Sequence, residues 1–367
     1  MSLRRSMIFS LGGATPLDEV GATSSNTLVA YGLRKLSNNY SGSVLRVRNS
    51  VGAIGDLAFD ANDEISTSSV VTITTAGTGF VLGTEHTLSA FAASGDVTVR
   101  TWYDQSSGGR DIIQATVANQ PFLMQSGNFR LVDNKPSIYS PNTSKQLRYT
   151  GNCADYYNLV NDLGPLTIVK HSSTSVNFTS NQITLWGIQN FTTDSSSIPE
   201  TDCTAISGIY GFGIANNQVI NQAGIGISTR TTPNVLETCV LPYNPCTVRS
   251  IIPIGSPFSS TLYDGGPSKI VSITDDNGNK IVKSYINGSL SGSRGYDCNF
   301  VRYPLVNIPS SSFFFIGNVN TPIIPQTGAG VNIDYSFQEF IAFNGTNYHA
   351  ERSVIEQSMG RYYNVTV

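Results

Sequence analysis

Val97-Thr98-Val99-Arg100-Thr101-Trp102-Tyr103 alternates apolar and polar residues and runs straight into Asp104-Gln105-Ser106-Ser107-Gly108-Gly109. Period two followed by a polar, glycine-bearing turn is the signature of a half-buried strand ending at a sheet edge or loop. Outward from it the same pattern recurs. Val70-Val71-Thr72-Ile73-Thr74-Thr75 is rich in β-branched residues, and Leu166 to Lys170, Gln182 to Ile188 and Ile206 to Ile214 are further strand candidates. Lys269 to Thr274 and Lys280 to Ile286 flank Asp275-Asp276-Asn277-Gly278-Asn279, and Asn287-Gly288-Ser289 follows. Asn-Gly tolerates positive φ at low cost, so both segments predict tight hairpin turns. Phe313-Phe314-Phe315-Ile316 predicts a strand buried on both faces, and Ser336 to Phe343 alternates again.

Helical spacing appears persuasively only near the C-terminus, where Ala350, Val354, Ile355, Met359 and Tyr362 recur, Asn347 offers a cap and Glu351 lies in the first turn. A short helix over Thr27 to Asn38 is the second candidate. Many short strands, frequent turns and one terminal helix predict an all-β fold, a two-sheet antiparallel sandwich with a C-terminal helix. The chain's 367 residues show no repeat and no clean linker. We read 1–25 as an N-terminal arm or docking segment and 26–367 as one sandwich domain. Thr192 to Asp202 and Thr231 to Pro245 read as surface loops.

Charged residues make up 13% of the chain, half the usual share of about 25%. The surface must therefore be built from Ser, Thr, Asn, Gln and Gly. The net charge of −3 leaves no electrostatic footprint for nucleic acid, and no apolar run is long enough to span a membrane. Of the five cysteines (Cys153, Cys203, Cys239, Cys246, Cys298) none forms a CxxC pair. They read as thiols, with a Cys239–Cys246 loop bridge left open. His86, His171 and His349 have no metal spacing, so neither a metal nor a cofactor is expected. Met1 to Gly13 carries Arg4 and Arg5 before a short apolar stretch without a cleavage site, and reads as retained. A polar surface of extracellular type with a retained start points to a component of a virus particle.

Three segments carry a family resemblance. Ala30-Tyr31-Gly32-Leu33-Arg34-Lys35-Leu36 continues to Ile54-Gly55-Asp56-Leu57. Trp102-Tyr103-Asp104-Gln105-Ser106 is followed by Gly108-Gly109-Arg110-Asp111 and Gln114-Ala115-Thr116. Glu339 to Tyr363 includes Ala350-Glu351-Arg352. In this order they resemble the catalytic-domain family of fungal α-L-arabinofuranosidase B, and more closely the bacterial and phage proteins that carry its homologous domain. The last segment is also similar to laminin-G-like lectin domains. The resemblance implies a concanavalin A-like jelly roll.

It also implies a test of the chemistry. A retaining glycosidase needs two carboxyl groups about 5–5.5 Å apart. By the resemblance the nucleophile falls in Ile214-Ala215-Asn216-Asn217-Gln218, at Ala215. The acid/base falls in Ile316-Gly317-Asn318-Val319-Asn320, at Val319. Neither side chain can attack an anomeric carbon or protonate a leaving oxygen. The paired pocket cysteines of the enzymes are absent as well. The remaining carboxylates (Glu200, Asp202, Glu237, Asp264, Asp275, Asp276, Asp334, Glu339) read as solvated or turn-forming. No catalytic residue is therefore expected.

The ligand-binding candidates are Trp102, Tyr103, Asn216, Asn318 and Asn320. For Trp102 and Tyr103, packing in the core or turn stands as the leading reading and stacking on a sugar as the second. Asp104 and Arg110 are expected to clip the turn. The expected function is a non-catalytic phage virion protein, a tail fibre or capsid decoration. Its partners would be other virion proteins through the arm, a homo-oligomer, and host-surface glycan. The alternatives are a secreted arabinofuranosidase-like hydrolase and a bacterial adhesion module.

Overall fold

The computed structural model describes residues 15–22, 27–106, 108–140, 145–149, 166–176, 184–189, 224–231, 234–241, 250–253, 269–276, 281–295, 313–317, 333–344 and 348–367. It is an all-β antiparallel sandwich with a C-terminal helix, Tyr348–Tyr363. One layer is built on the long strand Ile333–Asn344, which pairs with β1 (Thr27–Gly32) on one side and Leu166–Val176 on the other. Lys269–Asp276, Ile281–Ile286 and Ser289–Gly295 then follow in sequence. The second layer runs from β5 (Glu85–Thr87) through β4 (Val70–Thr75), β3 (Ile54–Leu57) and β2 (Leu45–Asn49) to β6 (Val97–Trp102). It continues through β7 (Ile112–Ile113), Gln146–Tyr149 and Phe313–Gly317 to Thr184–Gln189 and Gly224–Thr231. β8 (Phe122–Gln125) pairs with β6, and Ile138–Ser140 bridges β8 to Ile333–Asn344, linking the layers.

Alternation in β2 and β6 has the expected meaning. Leu45, Val47, Val97 and Val99 are buried, while Arg46, Arg48, Thr98 and Arg100 stay on the outer face. Across the layers, Tyr31 of β1 meets Trp102 of β6 with ring centroids 5.7 Å apart, and Phe340 stacks on the same tyrosine at 6.4 Å. The two-residue turn Asn287-Gly288 has φ of +45° and +80° and joins Ile286 to Ser289, the geometry that Asn-Gly predicts. Asn287 also accepts the Ile270 backbone N–H through Oδ1 at 3.0 Å, tying the turn to its neighbouring strand.

Several expectations are corrected. Thr27 to Gly32 is a strand, not a helix, because Thr27, Val29, Ala30 and Tyr31 are buried and the backbone pairs with Ile333–Asn344. Thr231 to Pro245 is not simply a loop, since Asn234–Leu241 forms a hairpin with Gly224–Thr231. Backbone pairing carries the strand through Asp275 and Asp276, opposite Val282 and Ile281, where a turn was expected. The alternation of Ser336 to Phe343 does not mark a wet face: Phe337 and Phe340 are buried, and so are Gln338, Glu339 and Ile341. The C-terminal helix covers that second face. Ile355, Met359 and Tyr363 pack with Ile270, Ile341, Phe343, Ala30 and Leu36.

The helix is rotated relative to its apolar reading. Val354 and Tyr362 are half-buried, while Glu356 and Ser358 are wholly inside. Glu356 accepts the Ser272 hydroxyl at 2.5 Å and pairs with Arg352, whose guanidinium lies 3.5 Å from the centroid of Tyr285. These polar partners let a charged residue occupy the inward face. Residues 15–22, drawn with the N-terminal arm, belong to the same core. Pro16–Glu19 is a helical turn, Leu17 is buried in the cluster under the terminal helix, and Glu19 pairs with Arg361 at 2.8 Å. Asp18 accepts the Thr15 and Ser37 hydroxyls and the Asn38 N–H. Burial raises its carboxyl, but these hydrogen bonds outweigh it and hold the group below its ordinary value.

Candidate functional site

The three resembling segments converge on one interlock. β6 delivers Trp102 to the core, where it is wholly buried and its indole N–H donates to Gly32 O at 3.4 Å. This corrects its candidacy as a sugar platform, because neither face of the ring reaches solvent. The next residues turn back under β1. Gln105 N–H donates to Ala30 O at 2.7 Å. Its side-chain amide donates to Gly32 O and Arg34 O at 2.9 and 3.0 Å, and its Oε1 accepts Leu36 N–H at 2.8 Å. Gln105 thus serves as a substitute strand for backbone groups that leave the sheet after Gly32.

Asp104 is the other half of the interlock. Oδ1 accepts the N–H groups of Ala30 and Ser106, each at 2.9 Å; Oδ2 accepts the Ser106 hydroxyl at 2.7 Å and Arg110 N–H at 3.1 Å. The expected Asp104–Arg110 clip is present, and it is the Arg110 backbone N–H that makes it. Tyr31 donates its hydroxyl to Arg110 O, and Asp104 N–H reaches Asp111 Oδ1 at 2.9 Å. Burial pushes the Asp104 carboxyl from 3.8 up to about 6, against the pull of the Ser106, Ala30 and Arg110 donors.

The folded state therefore holds this proton more tightly than the unfolded chain. The stability it contributes is complete below 3.8 and is lost as pH rises through about 6. Denaturant melts should show the gap between wild type and Asp104→Asn widening by about 1–3 kcal/mol from about pH 7.5 to about pH 4. An unchanged gap would mean that the carboxyl keeps its ordinary affinity for protons.

The third segment locks in through Glu339, which corrects its reading as a solvated carboxylate. It is fully buried and forks onto Arg34, with Nε–Oε2 at 2.9 Å and Nη2–Oε1 at 3.1 Å; Tyr363 donates its hydroxyl to Oε2 at 3.0 Å. Arg34 also lies 4.4 Å from the ring centroid of Tyr362, a ring that also faces the Lys135 ammonium at 4.2 Å. Lys135 pairs in turn with Glu64 at 2.8 Å. Burial first, then the neighbouring Glu339 charge, pushes the Tyr363 hydroxyl well above its ordinary value, so it stays protonated as a donor.

Of the ligand candidates, Tyr103 alone reaches solvent among the described residues. It is half-buried at the end of β6, donates its hydroxyl to Asp56 Oδ1 at 2.8 Å, and lies beside Arg46, whose guanidinium forks onto Asp56 at 2.7 and 2.8 Å. Arg46 stands 6.0 Å from the Tyr103 ring centroid, and Tyr40 stands edge-on to Phe59 nearby in the chain. Sequence reasoning missed Arg46 and Asp56; their opposition across a hairpin was the available signal. Ala215, Asn216, Asn318, Val319 and Asn320 lie outside the described residues, as do Asn347 and the cysteine side chains.

No family model and no curated protein matches the chain. Solved structures do. A GH54 α-L-arabinofuranosidase soaked with a cyclic sulfate inhibitor aligns over 94% of this chain and 64% of that one, at 14% identity and a TM-score of 0.44. Trypanosoma rangeli sialidase in complex with sialic acid aligns over 71% of this chain and 31% of its own, at 13% identity and a TM-score of 0.37. A structure of botulinum neurotoxin type C, whose cell entry is dependent upon interaction with two ganglioside molecules, aligns over 72% of this chain and 48% of that one, at 14% identity and a TM-score of 0.39. The chain thus spans just under two thirds of the length of the arabinofuranosidase it matches.

Proposed function

We propose that this chain is a non-catalytic binding sandwich: a phage virion component, tail fibre or capsid decoration, that engages host-surface glycan. What carries the non-catalytic reading is the sequence resemblance, which assigns Ala215 and Val319 to the positions of the hydrolases' two carboxylates. The interlock supports it. Asp104, Glu339 and Glu356, the buried carboxylates of the resembling segments, are all spent on internal donors. The virion setting rests on the resemblance to phage proteins and on a weakly charged surface, 13% Asp, Glu, Lys and Arg. Assembly is proposed as a homo-oligomer, with the first part of 1–25 docking to other virion proteins. Tyr103, Asn216, Asn318 and Asn320 remain the proposed glycan contacts.

The test combines two readouts on the purified protein. Incubation with 4-nitrophenyl α-L-arabinofuranoside should release no nitrophenol above the buffer blank, while an array of immobilised neutral and acidic glycans should capture the protein. Sustained hydrolysis would overturn the non-catalytic reading. A blank array would remove the glycan partner, and absence of the chain from purified particles by mass spectrometry would remove the virion setting.

A further inference from the structure

The cations of the described residues are mostly committed. Arg34, Lys35, Arg46, Lys135, Arg352 and Arg361 each face a carboxylate. Arg48 and Arg100, like Arg130 and Lys283, have no side-chain hydrogen-bond or ion-pair partner among the described residues, but only these two lie together on neighbouring strands. Both stand on the outer face of the second layer. Burial of Leu45, Val47 and Asn49 turns Arg46 and Arg48 outward on β2, and burial of Val97 and Val99 turns Thr98 and Arg100 outward on β6. The register sets Arg48 opposite Thr98 and Arg46 opposite Thr101, with the strand pairing broken between them so that Arg100 is the extra residue. Arg100 is thereby brought beside Arg46, one pair along from Arg48. Diagonal neighbours on one sheet face lie within about 7–8 Å.

Three arginines therefore share a patch with two carboxylates, Asp56, bound to Arg46, and Asp111, whose charge also acts on Arg46. The patch is locally positive on a chain of net charge −3. Like charges set side by side are unfavourable on a sheet unless an anion meets them. The guanidinium fork suits planar or tetrahedral oxyanions, and rigid strands hold it at low entropic cost. Tyr103, half exposed at the end of β6, borders the same patch through Asp56.

We propose that this face, Arg48 and Arg100 with Tyr103 beside them, binds an anionic saccharide through its carboxylate or sulfate groups. The assignment rests on the glycan-binding reading above and names the ligand class. Titration calorimetry of the full chain would use hexagalacturonate for carboxylate, a heparin hexasaccharide for sulfate, cellohexaose as the neutral comparison and a single-stranded oligonucleotide as a non-saccharide polyanion. At least one anionic saccharide should bind, more weakly as salt is raised. The double substitution Arg48→Gln, Arg100→Gln should weaken that binding about tenfold or more while leaving the melting temperature nearly unchanged, because the two guanidinium groups make no internal hydrogen bond or ion pair.

Failure of both anionic saccharides to bind, or binding untouched by the double substitution, overturns the proposal. So does an oligonucleotide that binds as tightly as either saccharide. Capture of neutral glycans alone on the array would leave the proposed function standing and remove this inference; a blank array would remove both.

Discussion

Glu339→Ala should destabilise the protein by about 3–5 kcal/mol in urea melts, the range expected when one member of a buried ion pair is removed. The substitution strands the Arg34 guanidinium, whose side chain is 11% exposed, and takes the acceptor from the Tyr363 hydroxyl. It also cuts the link between β1, the strand Ile333–Asn344 and the terminal helix. The double substitution Arg34→Met, Glu339→Met separates the cost of a stranded charge from the worth of the pair, since apolar replacement of both partners is often tolerated. We expect the double variant to be more stable than Glu339→Ala. If Glu339→Ala melts like wild type, the ion pair is not formed in solution.

Trp102→Ala should cost a similar amount, about 3–5 kcal/mol, by opening a cavity between the layers where the indole meets Tyr31. Its hydrogen bond to Gly32 O is lost as well. The measurement also decides between the two sequence readings of this residue. A solvent-facing sugar platform would lose affinity and little stability, whereas a core residue loses stability. A melting temperature close to wild type would return Trp102 to the list of ligand contacts.

Legibility in the sequence followed the number of constraints acting on each residue. In β2 and β6 one face meets water, so period two was visible, and Asn287-Gly288 announced its turn because few residues accept its φ values. Thr27 to Gly32 was ambiguous because both its faces are buried, which erases periodicity and leaves helix and strand alike. The terminal helix was found but turned wrongly, since Glu356 looks like a solvent residue until Ser272 and Arg352 are placed around it. Glu339 was misread for the same reason, its partner Arg34 being 305 residues away. Arg46 and Asp56 were missed although only ten residues separate them. Recognising their opposition needed the hairpin register.

Composition and strand periodicity alone determined the class: an all-β chain with few charges, tight Asn-Gly turns and a terminal helix. The motifs around Tyr31, Trp102 and Glu339 were visible as a pattern, but their meaning was not. Only the tertiary structure decided that Trp102 is core, that Asp104 and Gln105 replace lost strand partners, and that Arg48 and Arg100 share an outer face without acceptors. The reason is physical. Periodicity reports how a residue sits relative to its own strand, whereas burial of a charge, or its lack of a partner, depends on groups brought in from distant parts of the chain.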